Sequence, residues 1–490
     1  MTSNGTTHHT SAAPMNPYVG PRAFGVDERL PNREDDAREL TDLLTSERVV
    51  LLHAPSGAGK TSLIQAAVMP LLKDDGFNPI GPVRVDKPIP ADAAIRNRYV
   101  YSIALYLLGN GHKGTHGFRQ LTLAQVLDLV VPAKEDSRAA TPPPVLIIDQ
   151  LEEALTLNPA DWDVKEQFFK DLGSVLAHRR CWALLAMRED YMGGLDRYLR
   201  LVPGHLRTRY RLDFLTPSEA LAAAQVPAKL QGVDFDAEAA RLLIKKLAKV
   251  RVDRPGQETA WFPTPYVEPF QLQVACRRLW KQVRASRGNN FPVIDCEDVE
   301  RLDVDRALSR YYADSVAEVE RRTGVGQGVI RAWFETQLIT PQQFRSQTTR
   351  GPVEDSPQVL TELQSAYLVR GDSRGGVTWY ELAHDRLIGA VLSSNHEWRR
   401  RTYAPWQIAS YDWRRNNRPR ALLLSKLELR YAPSYRSRGL EPDDREFLKE
   451  SEETAQKEGL LSRHRNVVGL IGFIAVLEFV VIVLLLLRTL

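Results

Sequence analysis

The apolar positions of this chain follow two different periods. Arg48-Val49-Val50-Leu51-Leu52-His53 is almost continuously apolar and rich in β-branched residues, the pattern of a strand buried on both faces. Val145-Leu146-Ile147-Ile148-Asp149 and Trp182-Ala183-Leu184-Leu185-Ala186-Met187 repeat it, and Val83-Arg84-Val85 and 207–212 are shorter strand candidates. Between them the spacing is helical: over 35–45, with Ala37, Leu40, Leu43 and Leu44 on one face, over 99–108 and over 121–131, before a charged, proline-rich connection at 134–144. From Pro217 helical spacing dominates, over 218–225, 237–250 and 269–284, with a polar loop at 250–265. Helices are again expected over 305–322, 329–336 and 357–367. Leu368-Val369-Arg370, a Gly-Asp-Ser-Arg-Gly-Gly turn and the strand 377–382 follow, the plan of a winged helix. Beyond residue 398 the chain is basic and helical, with Arg399-Arg400-Arg401, Arg414-Arg415 and a charged helix over 441–461.

The first buried strand runs into Ala54-Pro55-Ser56-Gly57-Ala58-Gly59-Lys60-Thr61, and then into the helix formers Ser62-Leu63-Ile64-Gln65. Strand, glycine-rich turn and helix in that order make a phosphate-binding loop, with Ala54 where glycine is preferred. Gly57 and Gly59 permit backbone angles that turn successive N–H groups inward, and the helix N-terminus adds its own. Lys60 reaches the β- and γ-phosphates, and the Thr61 hydroxyl is placed for Mg²⁺. Asp149 ends a buried strand at the edge where open α/β sheets bind ligands, so it is the second Mg²⁺ candidate. Either Glu152 or Glu153 orients or deprotonates an attacking water, and residue type alone does not choose between them. Arg188 ends the next strand, where it senses a γ-phosphate or pairs with Asp190. No Asn-Lys-x-Asp guanine signature occurs, which favours ATP over GTP.

A net charge of +4 over 490 residues carries no strong nucleic-acid signal. The three cysteines, Cys181, Cys276 and Cys296, are too dispersed for a zinc or disulfide framework. The polar stretch 1–15 reads as disordered. Residues 467–487 are apolar apart from Glu478, about 21 residues in all, enough to cross a bilayer as a helix. Arg463, His464 and Arg465 precede the run, so the domains before it are expected in the cytoplasm, with the run as a single-pass membrane anchor. An acid in mid-span costs several kcal/mol unless paired, protonated or wet. Gly469, Gly472 and Ala475 add a small-residue face for helix packing.

Taken together, these residues resemble the STAND class of signalling ATPases, relatives of the AAA+ superfamily, and in particular its prokaryotic "novel STAND" branch. The resemblance runs from Asn16 to Trp398. It rests on Asn16-Pro17-Tyr18, the phosphate loop, Asp149-Gln150-Leu151-Glu152-Glu153, Val267-Glu268-Pro269-Phe270-Gln271-Leu272 and Tyr380-Glu381-Leu382-Ala383-His384-Asp385. It implies an α/β phosphate-loop domain over 16–216, a helical lid over 217–298 and a winged helix over 299–398; beyond it, composition and apolar length add a basic helical region over 399–465 and a transmembrane helix over 466–488. It also implies roles. His384 would touch the β-phosphate of bound ADP and hold a closed form. Pro269 would pack on adenine, and Arg33 would lie near adenine, with Asn32 in place of the usual glycine. Gln150 stands where many relatives carry a catalytic glutamate, which implies slow hydrolysis. The loop residues Pro55 to Ser62 would hold the nucleotide with Mg²⁺. The function implied is a nucleotide-gated switch that oligomerises on an unknown trigger and suits antiphage defence; the acid in the span adds the expectation that the span is its membrane-disrupting effector rather than only an anchor. A tethered adaptor recruiting a separate effector or sensor protein is the alternative, and a DNA-binding regulator is a third reading.

Overall fold

The computed structural model describes residues 15–87, 89, 94–109, 115–131, 142–156, 161–252, 260–288, 291–353, 356–374, 377–384, 386–416 and 418–458. The stretch expected to be disordered (save Met15), most of the 134–144 connection, Asp385 and the apolar run with Glu478 lie outside these residues. Among the described residues no helix is long and apolar enough to cross a membrane.

The apolar runs form the middle of one sheet. Strands β1 (Val49–Ala54), β2 (Asn78–Val83), β3 (Pro144–Ile148), β4 (Trp182–Arg188) and β5 (Arg209–Arg211) lie in the order β2-β3-β4-β1-β5, and every pairing is parallel. Alternate residues serve opposite faces. Val50, Leu52, Ala54, Val145, Ile147, Leu184 and Ala186 pack with α1 (Glu34–Glu47) and with the helix that α2 (Lys60–Leu63) begins. Leu51, Leu146, Ile148, Leu185 and Met187 pack beneath α3 (Arg98–Leu108) and α4 (Trp162–His178). Burial on both faces is why these strands lack a polar side. Each buried Leu or Ile there contributes about 2 kcal/mol. The strand expected at 83–85 instead runs over Asn78–Val83. Pro79 and Pro82 interrupt its apolar pattern, and the sheet tolerates them because β2 is an edge strand.

The helical part contains α5 (Pro217–Leu230), α6 (Ala237–Leu247), α7 (Pro269–Arg287), α8 (Val304–Thr323), α9 (Gln327–Gln337) and α10 (Pro357–Ser365). Thr216 and Glu219 cap the start of α5 reciprocally, and Asp236 caps α6 through the Ala239 N–H. The polar loop expected at 250–265 is in fact a hairpin, β6 (Lys249–Val252) antiparallel to β7 (Ala260–Pro263). A three-stranded antiparallel sheet follows, with β8 (Gln347–Thr348), β9 (Val369–Arg374) and β10 (Val377–Leu382) in the order β8-β10-β9. Residues 371–374 of the expected turn instead pair as strand, out to Arg374 opposite Val377. One hydrophobic cluster runs from Leu215 through these helices to Val391, with Trp280, Tyr312 and Phe334 among its fully buried side chains.

The chain divides into two compact units, 1–392 and 393–490. In the second, α11 (Pro405–Arg415) places Trp413 against Phe447, with ring centroids 5.4 Å apart, beside Leu424 and Leu448. Ser410 Oγ donates to Asp444 Oδ1 at 2.6 Å within that core.

Candidate functional site

β1 delivers the chain to Ala54, and the turn that follows is fixed by what its residues permit. Gly57 (φ 82°) and Gly59 (φ 100°) both occupy the left-handed region. Ala58 is buried under the sheet and anchors the loop between them. Pro55 accepts the Ala58 N–H at 3.4 Å, beside Ser56, and α2 starts at Lys60. The Lys60 ammonium is buried and donates to Ala54 O at 3.4 Å. Burial pulls its pKa down, while the carboxylates of Glu152 and Asp149 oppose that shift. Ser62 is turned elsewhere: its hydroxyl accepts the Phe24 N–H at 3.2 Å.

Thr61 Oγ1 donates to Asp149 Oδ2 at 2.7 Å, so the two proposed Mg²⁺ ligands already touch. Asp149 is buried at the end of β3, and its other oxygen accepts the Gln150 N–H at 2.9 Å. One hydroxyl and one carboxylate at the lip of a phosphate cradle fit Mg²⁺, a hard ion that keeps several waters and takes phosphate oxygens as further ligands.

The two adjacent glutamates part company here. Gln150 is held in the left-handed region (φ 59°), which costs a non-glycine residue about 1 kcal/mol. The chain then turns Glu152 toward Lys60 and Glu153 away from it. Glu152 Oε2 accepts the Arg188 N–H at 3.2 Å, and its carboxylate interacts with the Lys60 charge. Glu153 lies with Asp86 and Arg84. The Gln150 amide, oriented by its partners, bridges Glu153 Oε1 (2.8 Å) and Arg84 Nη2 (2.6 Å). Burial raises both carboxyl pKa values, that of Glu153 well above the usual range. Of the two, the geometry brings Glu152 to the phosphate loop. Arg188 makes the pairing left open by the sequence, bonding Asp190 Oδ2 at 2.7 Å and lying over the Tyr191 ring.

Arg33 is buried, and its guanidinium is committed to Asp36 (2.7 Å) and the Asp213 carbonyl (2.6 Å). It therefore clamps the start of α1 to the exit from β5. Asn32 has φ 63°, the conformation a glycine would adopt most easily. Pro269 is the first residue of α7. Backbone bonds between Leu215 and Val267 (2.8 and 3.1 Å) tie that helix start to the segment leaving the sheet.

His384 follows β10 and reaches the phosphate loop. A Cβ added to Gly57 would stand 2.6 Å from His384 Cε1. The imidazole stacks on Phe270 (centroids 4.2 Å apart, planes at 20°), and its Nδ1 lies 3.4 Å from Glu268 Oε2. Burial alone would raise the Glu268 carboxyl, but His384, Gln271 and Arg386 outweigh it and hold its pKa below the usual value. Gly57 in the loop, Glu268 and Phe270 at the start of α7, and His384 after β10 thus converge at one point.

Sequence reasoning did not single out Glu268, Phe270 or Arg84 as site residues. The first two flank Pro269 in a motif already quoted, and that is the signal that could have found them. Asn16-Pro17-Tyr18 also acquires a role. Tyr18 Oη donates to the Ala224 carbonyl at 2.5 Å, Asn16 Nδ2 to the Arg277 carbonyl at 3.1 Å, and the strap continues past Tyr367 to Ser62.

Several solved structures resemble the chain at a distance. The Aeropyrum pernix ORC2 protein in ADPNP-ADP complexes is 15% identical, with TM-score 0.37, covering 75% of this chain and 95% of that one. The Walker-type ATPase PABY2304 of Pyrococcus abyssi is 11% identical, with TM-score 0.40, covering 77% and 100%. The Aeropyrum pernix ORC1 protein in complex with DNA is 17% identical, with TM-score 0.38, covering 76% and 94%. Likeness at that distance carries no argument about function. No curated protein matches the chain. The model of one family, Novel STAND NTPase 1, matches residues 17–417, well over half of the sequence. With its phosphate loop, Thr61–Asp149 pair and buried Glu152 in place, the chain belongs to the Novel STAND NTPase 1 family and is a nucleotide-binding signalling ATPase.

Proposed function

We propose that the protein is a membrane-anchored switch, closed with ADP and opened by exchange for ATP. The observation that carries this reading is the convergence at Gly57. A side chain from beyond β10 lies against the phosphate loop, gripped by two residues at the start of the lid helix. A ligand's β-phosphate in the cradle would be held by loop N–H groups and Lys60, with His384 closing over it. Lys60, Thr61 and Asp149 supply the Mg²⁺–phosphate contacts, Glu152 orients water, and Arg188 leaves Asp190 for the γ-phosphate. The winged-helix reading of α8–α10 and β8–β10 is supported by their order. Mg²⁺, when bound, neutralises phosphate charge. Release of His384 frees the lid and winged-helix parts to meet other protomers. By sequence, 466–488 anchors the chain and delivers the output, membrane disruption in antiphage defence.

The test is ADP retention by the purified full chain. His384→Ala is expected to release ADP roughly tenfold faster, the loss of one hydrogen bond to a charged group. It should also shift the chain toward oligomers with ATP in size-exclusion light scattering. An unchanged ADP off-rate would sink the switch reading. In cells, depolarisation that requires Lys60 and Glu478 would support the span as effector, and its absence would leave the span an anchor.

A further inference from the structure

The second unit distributes its charges unevenly. Cations near its small core are paired: Arg414 with Asp443 and Asp444, and Arg418 with Glu446. The segment 420–438 differs. It carries Arg420, Lys426, Arg430, Arg436 and Arg438 against one acid, Glu428. All five cations are exposed, and none forms an ion pair among the described residues. Glu428 caps its own turn instead, accepting from Ser425 N at 2.8 Å and Ser425 Oγ at 2.7 Å. Interleaved with these cations are Leu422, Leu427 and Tyr431, which are 36%, 64% and 84% exposed. Leu422 and Tyr431 end two short 3₁₀ turns, Arg420–Leu422 and Glu428–Tyr431, and Leu427 stands just before the second.

Single exposed apolar residues are ordinary. Leucines and a tyrosine interleaved with cations that form no ion pair among the described residues are the composition of a surface at headgroup level, although Arg436 also donates to Tyr435 Oη. There the cations meet lipid phosphates and the apolar groups reach the acyl boundary. The position in the chain supplies the rest of the argument. Helix 442–458 is followed by eight residues, 459–466, and then by the apolar run 467–487. Eight residues reach at most about 30 Å, so a chain anchored by that run keeps this segment within reach of one leaflet at high effective concentration.

We infer that 420–438 docks on the anionic phospholipid headgroups of the leaflet that 467–487 enters. This rests on reading 467–487 as a membrane span, and the experiment separates the two. The full chain, in a Cys296→Ser background because Cys181 and Cys276 are buried, receives an environment-sensitive dye at Leu427→Cys or Tyr431→Cys. It is reconstituted with phosphatidylcholine vesicles, or with vesicles half phosphatidylglycerol, containing acyl-brominated lipid as quencher. Retention through an alkaline wash reports the span.

Both dyes should be quenched several-fold more with phosphatidylglycerol. Lys426→Glu with Arg430→Glu, or high salt, should return quenching to the phosphatidylcholine level. Retention with unquenched dyes overturns the docking and leaves the span. Equal quenching in both lipids overturns the role of anionic headgroups. Quenching without retention keeps the docking and discards the span, and loss of both discards both.

Discussion

The phosphate cradle and the His384 junction meet at Gly57 but are assembled in opposite ways. The cradle is largely local: residues 54–61 are consecutive, and Asp149 and Glu152 join them from elsewhere. The junction joins three stretches, Gly57, Glu268 with Phe270, and His384, separated by more than a hundred residues each. A local device forms whenever its own domain folds. A device built from distant stretches exists only while the parts carrying them stay together, so it suits the reporting of a conformational state. The difference predicts that each can be damaged without the other.

The largest effect is expected from Lys60→Ala. It removes a charge-assisted contact to phosphate, and nucleotide affinity should fall roughly 100-fold. The His384 junction should survive, because among the described residues the Lys60 ammonium hydrogen-bonds Ala54 O and not His384. Titration calorimetry measures the first and thermal melting of the nucleotide-free chain the second. A melting temperature that collapsed along with affinity would show that the two devices are one.

The same contrast explains what was legible in the sequence. β1, β3 and β4 were readable because burial on both faces leaves no polar side to confuse the period. β2 was misplaced because Pro79 and Pro82 break up its apolar pattern, although an edge strand accepts them. β8, two residues long, has no period to detect, and β6 and β7 were hidden in a stretch of polar composition. In the site, the loop and Asp149 followed from contiguity and strand ends. Glu152 and Glu153 could not be separated, since they are neighbours of identical type. The left-handed turn at Gln150 and the position of Arg84 separate them, and both depend on the folded sheet. His384 was legible only through family resemblance, because nothing local marks a histidine after a strand as reaching a loop more than three hundred residues away.

Gly57→Ala sharpens the comparison because it strikes both devices at once. The left-handed φ strains any Cβ, and that Cβ would stand 2.6 Å from His384 Cε1. We expect a loss of about 2 kcal/mol by chemical denaturation. Part of this loss is strain within the loop and part is collision. The double variant Gly57→Ala/His384→Ala should be less destabilised than the sum of the single variants, since the collision is gone while the strain remains. Strict additivity would mean that the imidazole does not lie against the loop in solution.

The smallest effect concerns the charge on Glu268. Its carboxyl is harder to protonate in the folded chain than in the unfolded one, because His384, Gln271 and Arg386 outweigh burial. A depressed carboxylate pKa contributes stability above the unfolded value, near 4.3, and that contribution is lost as pH falls through the lower folded value. Glu268→Gln keeps the shape and removes the charge, so at neutral pH it should cost about 1 kcal/mol. In acid the wild-type carboxyl becomes neutral as well. The stability gap between wild type and Glu268→Gln, measured by urea denaturation at descending pH, should then close from the acid side. A gap that persisted below the folded value would mean that the side chain stabilises the junction by packing, and that the carboxylate charge contributes nothing.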